Sequence, residues 1–157
     1  LTADGNAITD LTGLGRCLNV RALSLNGANV SDLSELRALT KLQDVTLSHC
    51  TRRELLIVLH KSSLTRLTLV GCDLRGDFFR SFDRERALTA LSLTDCELDS
   101  TSGLEDFTGL TELTVCGVSG SLDWSALGSL PLQTVTTDAL QADAIAAATT
   151  AAVTVVD

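Results

Sequence analysis

Leu88-Thr89-Ala90-Leu91-Ser92-Leu93 decides the fold, because its neighbours repeat it as Leu64-Thr65-Arg66-Leu67-Thr68-Leu69 and Leu110-Thr111-Glu112-Leu113-Thr114-Val115. Apolar residues at every second place describe a strand with one face buried. Outward from this centre the frame recurs at Val20–Leu25, Leu42–Leu47 and Leu132–Thr137, and in clipped form at Leu1-Thr2-Ala3 and Val153-Thr154-Val155. The central aliphatics are Leu1, Leu23, Val45, Leu67, Leu91, Leu113, Val135 and Val153, so the spacing is 22 apart from one interval of 24 and a last one of 18. A strand this short cannot bury its face alone, so successive turns must stack and cover one another.

With the next positions included, the frame reads L-x-x-L-x-L-x-x-(N/C), and Asn6, Cys50, Cys72 and Cys96 fall on its last place. This resembles the leucine-rich-repeat family over essentially the whole chain. The period is similar to that of the short phosphatase-regulator-like and internalin-like repeats, and ribonuclease-inhibitor-type repeats run longer. The resemblance implies an α/β fold: a right-handed solenoid with a concave parallel β-sheet and short helical or irregular convex segments, one domain over residues 1–157 in about seven turns. It also implies a protein–protein interaction scaffold whose partner is another protein, with no enzymatic activity and no cofactor. Two other settings fit the same repeats: the ectodomain of a surface receptor or adhesin, and substrate-recruiting repeats of a larger enzyme.

Departures from the frame mark where the turns need other support. Ala28 and Val118 stand at the asparagine position and bring no hydrogen-bonding group, and Thr137 replaces an inward aliphatic. Among the return segments, Thr51-Arg52-Arg53-Glu54 is a capping-box pattern opening a short helix through Leu59, with His60 and Lys61 at its far end. Asp77–Phe82, where the two-residue insertion falls, and Asp138–Ala148 also read as helical. Ser31–Leu36 is long enough only for a turn or a 3₁₀ piece. Gly5, Gly27, Gly71 and Gly117 recur once per repeat as the chain leaves the strand, a backbone requirement. Both ends fall inside a repeat, the arrangement expected of a piece of a longer solenoid or of ends covered by another chain.

Composition narrows the function. The 157 residues are 45% hydrophobic and 3% aromatic, so an aliphatic core is expected. Net charge is −8, and from Thr101 onward there is no Lys or Arg. A nucleic acid partner would need basic counter-charges or aromatic platforms, so none is expected. The longest aliphatic run, Leu55–Leu59, is too short to insert in a membrane. Five cysteines without a C-x₂-C pair suit buried thiols better than zinc, and point to an intracellular, cytoplasmic setting. His49 and Cys50 are adjacent on a strand and so face opposite sides, which disfavours a Cys–His nucleophile. Asn29-Val30-Ser31 matches the glycosylation acceptor pattern, a three-residue match that arises readily by chance.

The candidate binding surface is the outward face of the sheet. The residue between the two inward aliphatics is Thr2, Ser24, Thr46, Thr68, Ser92, Thr114, Thr136 and Thr154, hydroxylic in every repeat. Strand propensity and cross-strand contacts explain such a column, and so does a row of hydrogen-bonding groups offered to a partner. Beside it lie the charged positions Asp44, His49, Arg66, Asp95 and Glu112 among small residues. The protein-binding candidates are thus Asp44, Thr46, His49, Arg66, Thr68, Asp95 and Glu112. Arg66, central in the sheet, is the side-chain type that most often anchors an interface, and Arg84 is expected on the opposite, convex side.

Overall fold

The computed structural model describes residues 1–2, 8–27, 30, 32–82, 87–120 and 122–156. Gly5, Asn6, Ala28, Asn29, Ser31 and Arg84 lie outside the described residues. Seven strands form one sheet in sequential order: β1 (Ala22–Leu25), β2 (Asp44–Ser48), β3 (Arg66–Val70), β4 (Ala90–Thr94), β5 (Glu112–Cys116), β6 (Thr134–Asp138) and β7 (Ala152–Val156). Every pairing is parallel, which requires the chain to return over the back of the sheet after each strand. The central aliphatics pair in the expected frame, Leu23↔Val45↔Leu67↔Leu91↔Leu113↔Val135↔Val153, and a bridge Thr2↔Ser24 extends it. The 18-residue last turn therefore keeps register despite its shortness.

Inward residues make the core. Leu23, Val45, Leu67, Leu91, Leu113 and Val135 are buried, as are Leu25, Leu47, Leu69, Leu93 and Val115. Each such side chain contributes about 1.5–3 kcal/mol by leaving water. Thr137 takes the next place in that second row, fully buried, with its hydroxyl donating to the Asp138 carbonyl at 3.4 Å. On β7 the inward Val153 is half-buried and Val155 is exposed.

The expected aliphatic core needs one correction. All four phenylalanines cluster, Phe78, Phe79 and Phe82 from the turn that carries the insertion and Phe107 from the next, edge-on at centroid separations of 4.9–5.9 Å. The same segment also departs from the helix expected over Asp77–Phe82. Gly76 and Asp77 both have positive φ (73° and 27°), and only a 3₁₀ turn, Phe79–Ser81, follows. Asp77 at φ 27° cannot begin a helix, and Phe82 is already extended (φ −76°, ψ 151°), which leaves room for that single turn.

The other returns follow local signals more closely. Helix α1 (Arg52–Leu59) begins with the full capping box: the Glu54 N–H donates to the Thr51 hydroxyl, and the Thr51 N–H donates to the Glu54 carboxylate at 2.7 Å. His60 caps its end. Ser34–Ala38 is a 3₁₀ turn. Helix α2 (Ala142–Ala148) starts later than the alanine-rich run promised, because Asp138 stays in β6 and its carboxylate accepts the Leu140 and Gln141 N–H groups. No helix among the described residues is long and apolar enough to cross a membrane.

Candidate functional site on the outward sheet face

Parallel register turns sequence positions into columns whose successive members lie about 4.8 Å apart. The first column runs Asp44, Arg66, Ala90, Glu112, Thr134, Ala152. Arg66 Nη2 reaches Glu112 Oε2 at 3.0 Å, passing over the buried Ala90 between them. A larger residue at position 90 would block the path. Asp44 is Arg66's direct neighbour in register and half-buried, yet the guanidinium turns the other way. About half of each partner's side chain is exposed (48% and 53%), so the bridge contributes little to stability and stays available to a ligand.

The second column is the hydroxyl row. Thr46, Thr68, Ser92, Thr114 and Thr136 line up strand to strand, half-exposed, and their side chains form no hydrogen bond among the described residues. Their burial is too small to demand partners, so nothing in the fold consumes them. Thr46 and Thr68 flank the Arg66 end of the bridge.

Gly27, His49, Gly71, Asp95 and Gly117 form a column just past the strands, all at positive φ between 54° and 77°. His49, a strand residue in the repeat frame, lies one residue beyond β2 in this left-handed corner. Glycines alternate with side-chain residues for a steric reason. The His49 ring comes within 3.2 Å of where a Cβ on Gly71 would sit, and the Asp95 carboxylate occupies that space at Gly117. Two successive side chains in a left-handed corner would collide across one turn of the coil. His49 and Asp95 are thereby held on the outward rim, exposed, with Gly71 between them.

Inside the corner stands the thiol ladder. Cys50, Cys72 and Cys96 are buried, and the Cys50 N–H points at Cys72 Sγ at 3.4 Å. The Cys50 and Cys72 thiols donate back to the Ser48 and Val70 carbonyls, and Cys96 to those of Leu69 and Thr94. Contact with Cys72 and burial push the Cys50 and Cys96 thiols up, while sulphur contact with both neighbours holds the Cys72 thiol down. All five thiols are free. With His49 exposed and Cys50 buried, imidazole and thiol face opposite sides. No group of three His, Cys, Asp or Glu among the described residues is placed to hold a metal ion.

Val118, the apolar intruder in the ladder, is rescued from the next turn. The buried Gln141 amide donates to the Val118 and Gly120 carbonyls at 3.2 and 2.8 Å and accepts the Trp124 indole N–H at 3.0 Å. Neither Gln141 nor Arg75 stood out in the sequence. Arg75 grips Asp73 through two bonds of 2.9 and 2.7 Å and reaches Glu97 at 3.3 Å. Asp73 and Glu97 pair turn to turn in a second ladder of single bridges, Thr51↔Asp73↔Glu97↔Ser119. Reading columns six residues past each central aliphatic (67 and 91) would have found that carboxylate pair.

Set against solved structures, the fold has clear counterparts. An internalin (inlF) of Listeria monocytogenes superposes with a TM-score of 0.72 at 22% identity, covering 99% of this chain and 48% of that one. The fold is that of the internalin leucine-rich repeats. Internalin C2 of the same organism gives a TM-score of 0.66 at 20% identity, over 87% of this chain and 60% of its own. The chain thus spans about half to three-fifths of the length of these internalins. No protein-family model matches the sequence, and no curated protein does.

Proposed function

We propose that this chain is a protein-binding scaffold, without catalytic activity, that engages another protein on the outward, concave face of its sheet. The observation that carries the reading is the unused hydroxyl row beside the exposed Arg66–Glu112 bridge. Five hydroxyls in one line, unengaged by the fold, form a rigid array of donors and acceptors that costs little conformational entropy to bind. Arg66 supplies the central anchor, with Asp44 and Glu112 setting the charge pattern a partner must match. His49 and Asp95, fixed by their glycine neighbours, border the array at the rim, and Thr46 and Thr68 frame its centre. The internalin-like fold supports the reading, since solenoids of this kind present extended concave surfaces.

The test is a quantitative comparison of proteins retained by the immobilised wild-type chain and by two charge reversals. Arg66→Glu should lower retention of a specific partner at least about tenfold, the scale of an interface anchor. Arg16→Glu, at an exposed position in the 3₁₀ turn Leu14–Arg16 on the return side, should leave retention unchanged. Equal loss from both reversals would mean that the sheet face is not the binding surface.

A further inference from the structure

On the opposite side of the solenoid, we propose that the groove between the 3₁₀ turn Ser34–Ala38 and α1 holds a carboxylate flanked by aliphatic side chains, carried on an acidic segment of a partner protein. The groove is lined by Arg37, Leu56, Ile57, His60 and Lys61. In a chain of net charge −8, neither Arg37 nor Lys61 has a carboxylate within ion-pair distance among the described residues.

The nearby acids are engaged elsewhere: Asp32, which is near enough to feel the Arg37 charge but forms no ion pair with it, accepts the Ser34 N–H at 2.8 Å. Glu35 accepts the Gly15 N–H of the preceding turn at 2.7 Å, and Glu54 is held in the capping box. Lys61 is half-buried, and its ammonium donates to the Leu39 carbonyl at 3.0 Å. Desolvation pushes its pKa down, the signature of a cation removed from water without a counter-ion. A carboxylate placed between Lys61 and Arg37 would restore the charge balance that burial has taken away.

The floor explains the aliphatic part of the ligand. Leu55, Val58 and Leu59 bury one face of α1, which leaves Leu56 and Ile57 half-exposed beneath the two cations. Apolar floor and cationic rim together fit an acidic side chain next to leucine-like ones. A phosphate backbone would want a longer basic track and has no use for the floor. His60 stiffens the edge, its Nε2 lying 3.1 Å from the Ser81 carbonyl.

The probe is the capped peptide acetyl-Leu-Glu-Leu-amide, titrated into the isotope-labelled chain and followed by amide chemical shifts. Saturable shifts should centre on Leu56, Ile57 and Lys61. They should weaken about tenfold in Arg37→Gln and in Lys61→Met, which keeps the aliphatic stem, and likewise when the peptide's Glu is replaced by Gln. Arg37 is exposed, so its variant keeps the fold and guards the test against a misfolded Lys61→Met. Lys41→Met, whose ammonium is tied to Asn19 at 2.8 Å, should bind as wild type, and so should Arg66→Glu on the other face. Absent shifts, equal shifts with the Gln peptide, or equal loss in Lys41→Met would overturn the proposal. Inorganic phosphate saturating the same amides as tightly as the peptide would overturn it too, because the floor would then add nothing.

Discussion

At the corner after β3, Cys72 divides its work: its sulphur accepts the Cys50 N–H of the preceding turn, and its thiol returns a bond to the Val70 carbonyl of its own. At the corner after β5, Val118 offers nothing, and Gln141, 23 residues along the chain, reaches back to satisfy two carbonyls and an indole N–H. The two corners solve one problem, since buried backbone groups must find partners whatever residue stands nearest. They differ in how much rests on one side chain. A thiol makes weak bonds and shares the work with its neighbours, whereas a single amide carries three bonds at the second corner.

That difference sets the largest expected effect. Gln141→Ala should cost about 3–5 kcal/mol, because it strands two carbonyls and the Trp124 N–H in the core and leaves a void. Cys72→Ala should cost about 1–2 kcal/mol, since only weak sulphur bonds and a small volume are lost. Urea denaturation of both variants measures the gap. Equal losses would show that the two corners are equally distributed.

A second contrast lies between two left-handed glycines, one in the column past the strands and one in a return turn. Gly71 and Gly13 both have positive φ, 61° and 89°, but a methyl group at Gly71 meets the His49 ring while one at Gly13 meets open space. Alanine at either position pays the left-handed strain of about 1–2 kcal/mol. Gly71→Ala should lose roughly a further 1 kcal/mol to crowding unless the ring moves away. The double variant His49→Ala/Gly71→Ala should fall back to the Gly13→Ala level. Persistence of the extra loss would locate the strain in the backbone alone.

These contrasts also explain what could be read from residues and what could not. The registers of all seven strands were legible because each repeat carries its own alternation, and stacking then leaves a single frame. Helix α1 was legible because a capping box is a local signal, complete within four residues. The turn at Asp77–Phe82 departs from the helix because Gly76 and Asp77 both take positive φ, a left-handed corner that the helix-compatible spacing of the three rings does not announce. The hydroxyl row and the Arg66–Glu112 column followed from register, but Arg66's choice of Glu112 over Asp44 did not. That choice depends on the passage over Ala90. Gln141 stayed hidden because its partners, Val118 and Gly120, lie a full turn away.

The smallest effect concerns the Arg75 clasp. Arg75 holds the Asp73 carboxyl down to about 2, chiefly through its side-chain hydrogen bonds, below the ordinary carboxylate range near 3.9. A depressed folded-state value stabilises the native form above the unfolded value, and that contribution fades as pH falls from about 4 through about 2. The clasp is open to solvent, so its screened contribution to overall stability is slight. Its signature is therefore the titration itself, followed at the Asp73 carboxyl carbon. Wild type should titrate with a midpoint about 2, and Arg75→Gln should move the midpoint upward toward the ordinary value. The same substitution should leave the thiol ladder and the Arg66–Glu112 bridge untouched, because neither shares a contact with Arg75. An Asp73 midpoint unmoved by Arg75→Gln would assign the shift to the Arg75 backbone N–H, which also donates to this carboxylate at 3.2 Å. The ion pair between side chains would then be incidental to the second ladder of bridges.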